Sequence, residues 1–176
     1  MKVGRLSIQG SCLDHSQSIS TLGQESLLIK QSKDLLSVDA LILPGGESTA
    51  MKKINQFSNL LSDVDRLIKD GVPTLTTCAG TILLAKEVID GEVTIPNIDI
   101  EVTRNAYGRQ TESFEGSVKF FENEDIYCFI RAPKISKILS DTVNVIAQHN
   151  DEIVGVAQKN VVSLTFHPEL NNDEYY

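Results

Sequence analysis

The chain has 176 residues, enough for one domain with a proper core and too few for two ordinary ones. Hydrophobic residues make up 41% and charged residues 23%, the balance of a globular protein in water. With 16 basic against 24 acidic side chains the net charge is −8, which argues against a binder of phosphate backbones, since that needs a clustered basic face.

In chain order, Val3 to Ile8 reads as an opening strand, Leu27 to Lys30 as a second and Ala40 to Leu43 as a third, closed by Pro44-Gly45-Gly46. Phe57, Leu60, Leu61, Val64, Leu67 and Ile68 follow the i, i+3, i+4, i+7 spacing of an amphipathic helix that Gly71 and Pro73 terminate. Thr74 to Thr77 predicts a fourth strand, and Ala79 to Lys86 a helix directly after Cys78. Ile98 to Thr103, Ser117 to Phe121 and Tyr127 to Ile130 read as further strands. Val143 to Ala147 and Ile153 to Ala157 flank the turn Asn150-Asp151, and Val161 to Thr165 leads into His167. The early alternation of strand and helix predicts an α/β fold, a three-layer sandwich with a central, mostly parallel sheet. Such sheets carry their chemistry at the carboxyl ends of strands, where Cys78 and His167 both fall.

No apolar run approaches the ~18 residues needed to span a bilayer, and the first residues read as a strand rather than a signal peptide. Cys12, Cys78 and Cys128 are odd in number and far apart, with no C-x-x-C pattern. That spacing argues against a disulfide framework or structural zinc and predicts a reducing, cytoplasmic setting.

Cys78 closes a strand and opens a helix in Thr76-Thr77-Cys78-Ala79-Gly80. A sharp strand-to-helix turn holds a nucleophile out from the backbone, and a helix N-terminus favours negative charge there. A buried structural cysteine fits the same placement. His167-Pro168-Glu169 sharpens the reading: residues two apart in an extended segment share a side, so the carboxylate can orient the imidazole beside a nucleophile. Leu43-Pro44-Gly45-Gly46-Glu47-Ser48-Thr49 places two glycines at a strand end, where backbone N–H groups can face an oxyanion; Ala79 N–H would be another donor. An ordinary Pro-Gly turn is the plain alternative. His15, three after Cys12, reads as a surface helix residue, His149 as solvent-facing, Cys128 as core, and Arg104 to Gln110 as a polar connection or binding loop.

Taken together, Thr77-Cys78-Ala79-Gly80, the P-G-G-E-S-T loop and His167-Pro168-Glu169-Leu170 resemble the marks of class I (triad) glutamine amidotransferases, whose fold is flavodoxin-like. Ile8-Gln9-Gly10, the R-N-x-F/Y-G-R-Q pattern at Arg104 to Gln110 and Phe129-Ile130-Arg131-Ala132-Pro133 are similar to the glutaminase subunit of pyridoxal 5′-phosphate synthase, the PdxT family. The resemblance covers nearly the whole chain, residues 1–176 forming one glutaminase domain. It implies Cys78 as nucleophile, His167 as general acid and base, and Glu169 as its orienting partner. It implies an oxyanion hole at Gly45, Gly46 and Ala79, and a glutamine pocket from Gly46, Glu47, Ser48, Arg104, Ile130 and Arg131. The implied product, ammonia, passes to a synthase subunit (the PdxS family) in a large hetero-oligomer that builds vitamin B6; no metal, organic cofactor, nucleic acid or membrane is implied. Three rivals accompany this reading: a glutaminase feeding another synthase, a non-catalytic regulatory subunit of the same fold, and a related cysteine-elbow protease or stress protein. Against the last speak the H-P-E segment and the loops at Arg104 to Gln110 and Phe129 to Pro133. The chain departs from the family at Thr76, where the elbow begins with glycine. It also ends at Tyr176, short of the family's usual C-terminal helix: either this is a naturally short form, or part of the sheet is left exposed as an apolar patch.

Overall fold

The computed structural model describes residues 1–7, 12–46, 59–104 and 113–171. The expected segments at Ile8-Gln9-Gly10, at Glu47 and Ser48, at Phe57 and over residues 105–110 lie outside the described residues.

A large sheet runs in the order β2 (Glu25–Ile29), β1 (Lys2–Leu6), β3 (Ala40–Leu43), β4 (Thr74–Thr77), β12 (Val161–Leu164), β11 (Glu152–Gln158), β10 (Asn144–His149), β7 (Ser113–Phe120) and β8 (Asn123–Ile130). Neighbours from β2 to β12 are parallel, and those from β12 to β8 antiparallel. The sheet is therefore mixed, with the parallel half holding β4 and β12 side by side. A smaller sheet joins β5 (Ala85–Ile89), β6 (Ile98–Thr103) and β9 (Lys134–Ile138).

The sequence dictates the layers through β3. Its Leu41 and Leu43 face one way and Ile42 the other, and all three are buried, as a strand covered on both faces requires. On the first face α2 (Leu60–Lys69) packs Leu60, Leu61, Val64 and Ile68 into the cluster of Leu6, Leu41 and Leu43. Each such side chain contributes about 1.5–3 kcal/mol on burial. On the second face α1 (Cys12–Thr21) packs Ile19 against Val3, Ile42 and the half-buried Leu75. An apolar groove of about 410 Å³ remains beside α1, lined by Ile19, Leu22, Ile42, Leu75, Phe121 and Val162. Among the described residues no helix is long and apolar enough to cross a membrane.

Several boundaries differ from expectation. The helix after Cys78, α3 (Ala79–Leu84), stops two residues short of Lys86 because Ala85 turns extended (φ −65°, ψ 140°) and enters β5, which pairs with β6. Strand pairing there overrides the local helical pattern. α1 escaped prediction because it is serine-rich: the hydroxyls of Ser18, Ser20 and Thr21 bond the carbonyls of Asp14, Ser16 and Gln17 one turn back. Such bonds blunt the helical signature in a sequence. The Asn150-Asp151 turn joins β10 and β11 as expected, with Asn150 left-handed at φ 51°.

Candidate active site

β4 ends at Thr77, and Cys78 follows at φ 47°, ψ −107°, a conformation costly for a side-chain-bearing residue. Its N–H donates to Leu164 O (2.9 Å), so the adjacent strand β12 fixes the elbow from outside. Gly80 lets α3 start this close to the sheet: a Cβ there would lie 2.1 Å from Leu43 O. Thr76 is fully buried. Its hydroxyl lies 2.9 Å from Ser163 Oγ and 3.0 Å from Thr81 Oγ1, and Thr81 Oγ1 donates to Leu164 O (2.7 Å). A hydroxyl cluster thus fills the space beneath the elbow.

His167 lies just past β12. Its N–H donates to Cys128 O (2.9 Å), which ties it across to β8. The expected extended geometry of His167-Pro168-Glu169 is corrected: Pro168 opens a 3-10 turn, Pro168–Leu170, its fixed φ favouring a first helical position. That turn brings Glu169 Oε1 to 2.7 Å from His167 Nδ1, with both side chains buried. Burial pulls the His167 imidazole downward, but its interactions with the Cys78 sulfur and with Glu169 outweigh that and push it up to about 10. The Nε2 atom has no hydrogen-bond partner among the described residues. Thiol, imidazole and carboxylate therefore stand in the order that nucleophile, acid–base and orienter require.

The glycine loop closes on this pair. A Cβ on Gly45 would lie 2.6 Å from His167 Cε1 and 3.3 Å from Cys78 Cβ. Gly45 N–H donates to Thr77 Oγ1 (3.0 Å), so in this conformation it is not presented as the oxyanion donor that the sequence suggested. Gly46 is exposed beside it and Ala79 N–H follows the nucleophile position directly. Cys78 Sγ donates to Ile130 O (3.5 Å), which brings the end of β8 and the following Arg131 (φ 48°) to the site. Arg104 follows β6 directly, its stem against Gly91 and its N–H donating to Ile89 O (3.4 Å). It lies beside the small sheet.

Sequence reasoning missed His15. Rather than lying on a helix surface, it is fully buried, its Nε2 3.3 Å from Glu169 Oε1 and 3.4 Å from Thr77 Oγ1. The signal that could have found it was its i, i+4 spacing to Ile19, the core-facing residue of α1. Cys128 is half-buried rather than core, and burial together with Glu115 raises its thiol, which disfavours a reactive thiolate. His149 is half-buried against Gly116 and bonds Ser117 O (2.7 Å). Among the described residues no group of three or more His, Cys, Asp or Glu side chains is arranged to hold a metal.

The model of the SNO glutamine amidotransferase family matches residues 5–176. A protein of Methanocaldococcus jannaschii named pyridoxal 5′-phosphate synthase subunit PdxT is 45% identical over 176 residues, 99% of this chain and 93% of that protein. Its namesake in Thermococcus onnurineus is 41% identical over 184 residues, covering 98% and 93%. A crystal structure described as a glutamine amidotransferase superposes with a TM-score of 0.90 at 35% identity, over 97% of this chain and 92% of that one. A structure described as PurLQS from Thermotoga maritima (TM-score 0.73, 16% identity, covering 99% and 90%) shares the fold.

Proposed function

Because the chain belongs to the SNO glutamine amidotransferase family, we propose that it is a glutaminase subunit that hydrolyses L-glutamine and supplies ammonia to a pyridoxal 5′-phosphate synthase subunit. The supporting observation is the His167–Glu169 pair, 2.7 Å apart and buried, set against the Cys78 elbow. In this reading residues 1–176 act as one glutaminase domain of a cytoplasmic hetero-oligomer with the synthase subunit.

The chemistry follows from the three side chains. The Cys78 sulfur attacks the side-chain amide carbon of glutamine, and the carbonyl oxygen becomes an oxyanion. Backbone N–H groups of Ala79 and Gly46 face that charge; Gly45 would join them only by releasing Thr77. One such donor is worth ~2.7–4 kcal/mol. His167 gives its proton to the departing nitrogen, ammonia leaves and a γ-glutamyl thioester remains. Neutral His167 then takes a proton from water, the hydroxide attacks the thioester, and glutamate departs as the thiol re-forms. Glu169 keeps the imidazole's Nδ1–H pointed inward and balances its charge. Glu47, Ser48, Arg104, Ile130 and Arg131 are the residues we assign to the glutamine itself. Neither a metal nor an organic cofactor takes part.

Glutamate release from L-glutamine, measured with and without the synthase subunit, tests the reading. Turnover that rises with that partner and vanishes in Cys78→Ala supports it. Silence in both conditions from a folded chain transfers the assignment to a regulatory subunit.

A further inference from the structure

His15 has no part in the thiol chemistry above, yet it lies buried against the carboxylate of the site. α1 lays two residues on the Pro168–Leu170 turn: Ser18 Oγ lies 3.5 Å from Glu169 O, and His15, one turn earlier, reaches the Glu169 carboxylate. Glu169 Oε1 is shared, 2.7 Å from His167 Nδ1 and 3.3 Å from His15 Nε2. The same His15 nitrogen is 3.4 Å from Thr77 Oγ1, the oxygen that already accepts the Gly45 N–H. A continuous polar path therefore runs from the glycine loop through Thr77 and His15 to the carboxylate that orients His167.

We propose that His15 is a positioning residue for glutamine hydrolysis, a neutral imidazole that presents its Nε2–H to Glu169 Oε1 and Thr77 Oγ1. In that state it fixes the carboxylate against His167 and ties it to the hydroxyl beneath the glycine loop. This inference rests on the glutaminase reading.

The tautomer follows from geometry. With the proton on Nδ1, a lone pair on Nε2 would face the lone pairs of a buried carboxylate oxygen at 3.3 Å, an unfavourable contact in a site with little water. Charge follows from the neighbours. Were His15 protonated, it would form an ion pair with Glu169 and compete with His167 for one carboxylate. Burial is the largest influence and pulls His15 down to about 4, with Glu169 and Asp14 opposing and His167 and Arg5 reinforcing. One carboxylate thus serves one cation, on His167, and one neutral donor, on His15. Removing the donor leaves more of the Glu169 charge to His167 alone, so His167 holds its proton to higher pH and yields neutral base less readily.

The test uses the full chain with its synthase subunit. The three histidines, His15, His149 and His167, are labelled with ¹⁵N and assigned by single substitution. His15 is expected as the neutral Nε2–H tautomer at pH 7. His15→Ala is expected to lower kcat about tenfold, with KM for glutamine changed less than about twofold. It is also expected to raise the His167 titration by about half a pH unit or more. His15→Gln, which keeps an N–H donor at similar reach, is expected to recover most of kcat and remains the informative variant should His15→Ala fail to fold. A charged or Nδ1–H His15 at pH 7, or a folded His15 variant with unchanged kcat and unchanged His167 titration, overturns the proposal. Cys78→Ala measured alongside separates the two levels: persistent turnover there defeats the glutaminase reading itself, whereas its loss beside a normal His15→Ala defeats the positioning role only.

Discussion

Gly45 and His167 approach so closely that a methyl group on the glycine would stand 2.6 Å from the imidazole Cε1. No real Cβ tolerates that separation, so one partner must move. Gly45→Ala is therefore expected to fold, since its neighbour is a side chain, and to displace His167 from its 2.7 Å bond with Glu169. Glutamate release should fall about a hundredfold or more, because misplacement of a catalytic group by ~1 Å costs that much. Steady-state kinetics of the variant with the synthase subunit check it; a rate within about threefold of the parent contradicts the steric argument.

Cys78 holds a backbone conformation, φ 47° and ψ −107°, that costs a non-glycine residue about 1–3 kcal/mol. Cys78→Gly relieves that strain and also removes the sulfur, giving a dead enzyme that melts at higher temperature than the parent. The comparison control is Cys78→Ala, equally dead and still strained. Thermal melts that place the glycine variant below the alanine variant would mean that the elbow is not a strained site.

Glu169→Gln keeps the size of the side chain while removing the charge that steadies the His167 cation. Slow but measurable hydrolysis is expected, about 10²–10⁴-fold down, the range over which general acid–base assistance operates. The His167 titration should move down from about 10. An unchanged rate removes Glu169 from the mechanism.

The two buried histidines give stability opposite pH dependences. His167 has a folded value raised from 6.5 to about 10. Its contribution is complete below about 6.5 and is lost as pH rises through about 10. His15 has a folded value lowered from 6.5 to about 4. Its contribution is present above about 6.5 and is lost as pH falls through about 4. Melting temperature against pH should slope down on both sides of neutrality. His15→Gln is expected to flatten the acid side and His167→Gln the alkaline side; the reverse pattern, or no change in either slope, contradicts the assignment.

Beneath the elbow, Thr76→Val keeps the shape but strips the hydroxyl shared with Ser163 and Thr81. Leaving these buried groups short of a partner costs about 1–3 kcal/mol. A urea midpoint unchanged from the parent would show that the hydroxyl cluster does not support the elbow.

Much of this was legible in the sequence where one physical signal dominated. The apolar run at Ala40–Leu43, the short strand at Thr74–Thr77 and the amphipathic stretch ending at Lys69 declare the parallel half of the sheet and its helix. Cys78 and His167 stand out because each follows a strand. What stayed hidden depends on contacts distant in sequence. β5 begins where a helical pattern was still running, because β6 pairs with it. His15 looked like a polar residue on a serine-rich helix, and only the packing of Ile19 on Val3 and Ile42 turns it inward to a carboxylate 154 positions away (169 − 15). Gly45 looked like an oxyanion donor because the sequence does not reveal that Thr77, 32 residues on, takes its N–H.

Covalent trapping tests the central claim most directly. An electrophilic glutamine analogue, a diazoketone in place of the side-chain amide, is incubated with the chain and its synthase subunit, and the modified peptide is located by mass spectrometry. The account predicts one adduct, on Cys78, suppressed by excess glutamine and absent in His167→Ala. An adduct on Cys128 or Cys12 instead, or glutamine hydrolysis that continues with Cys78 unmodified, would contradict it.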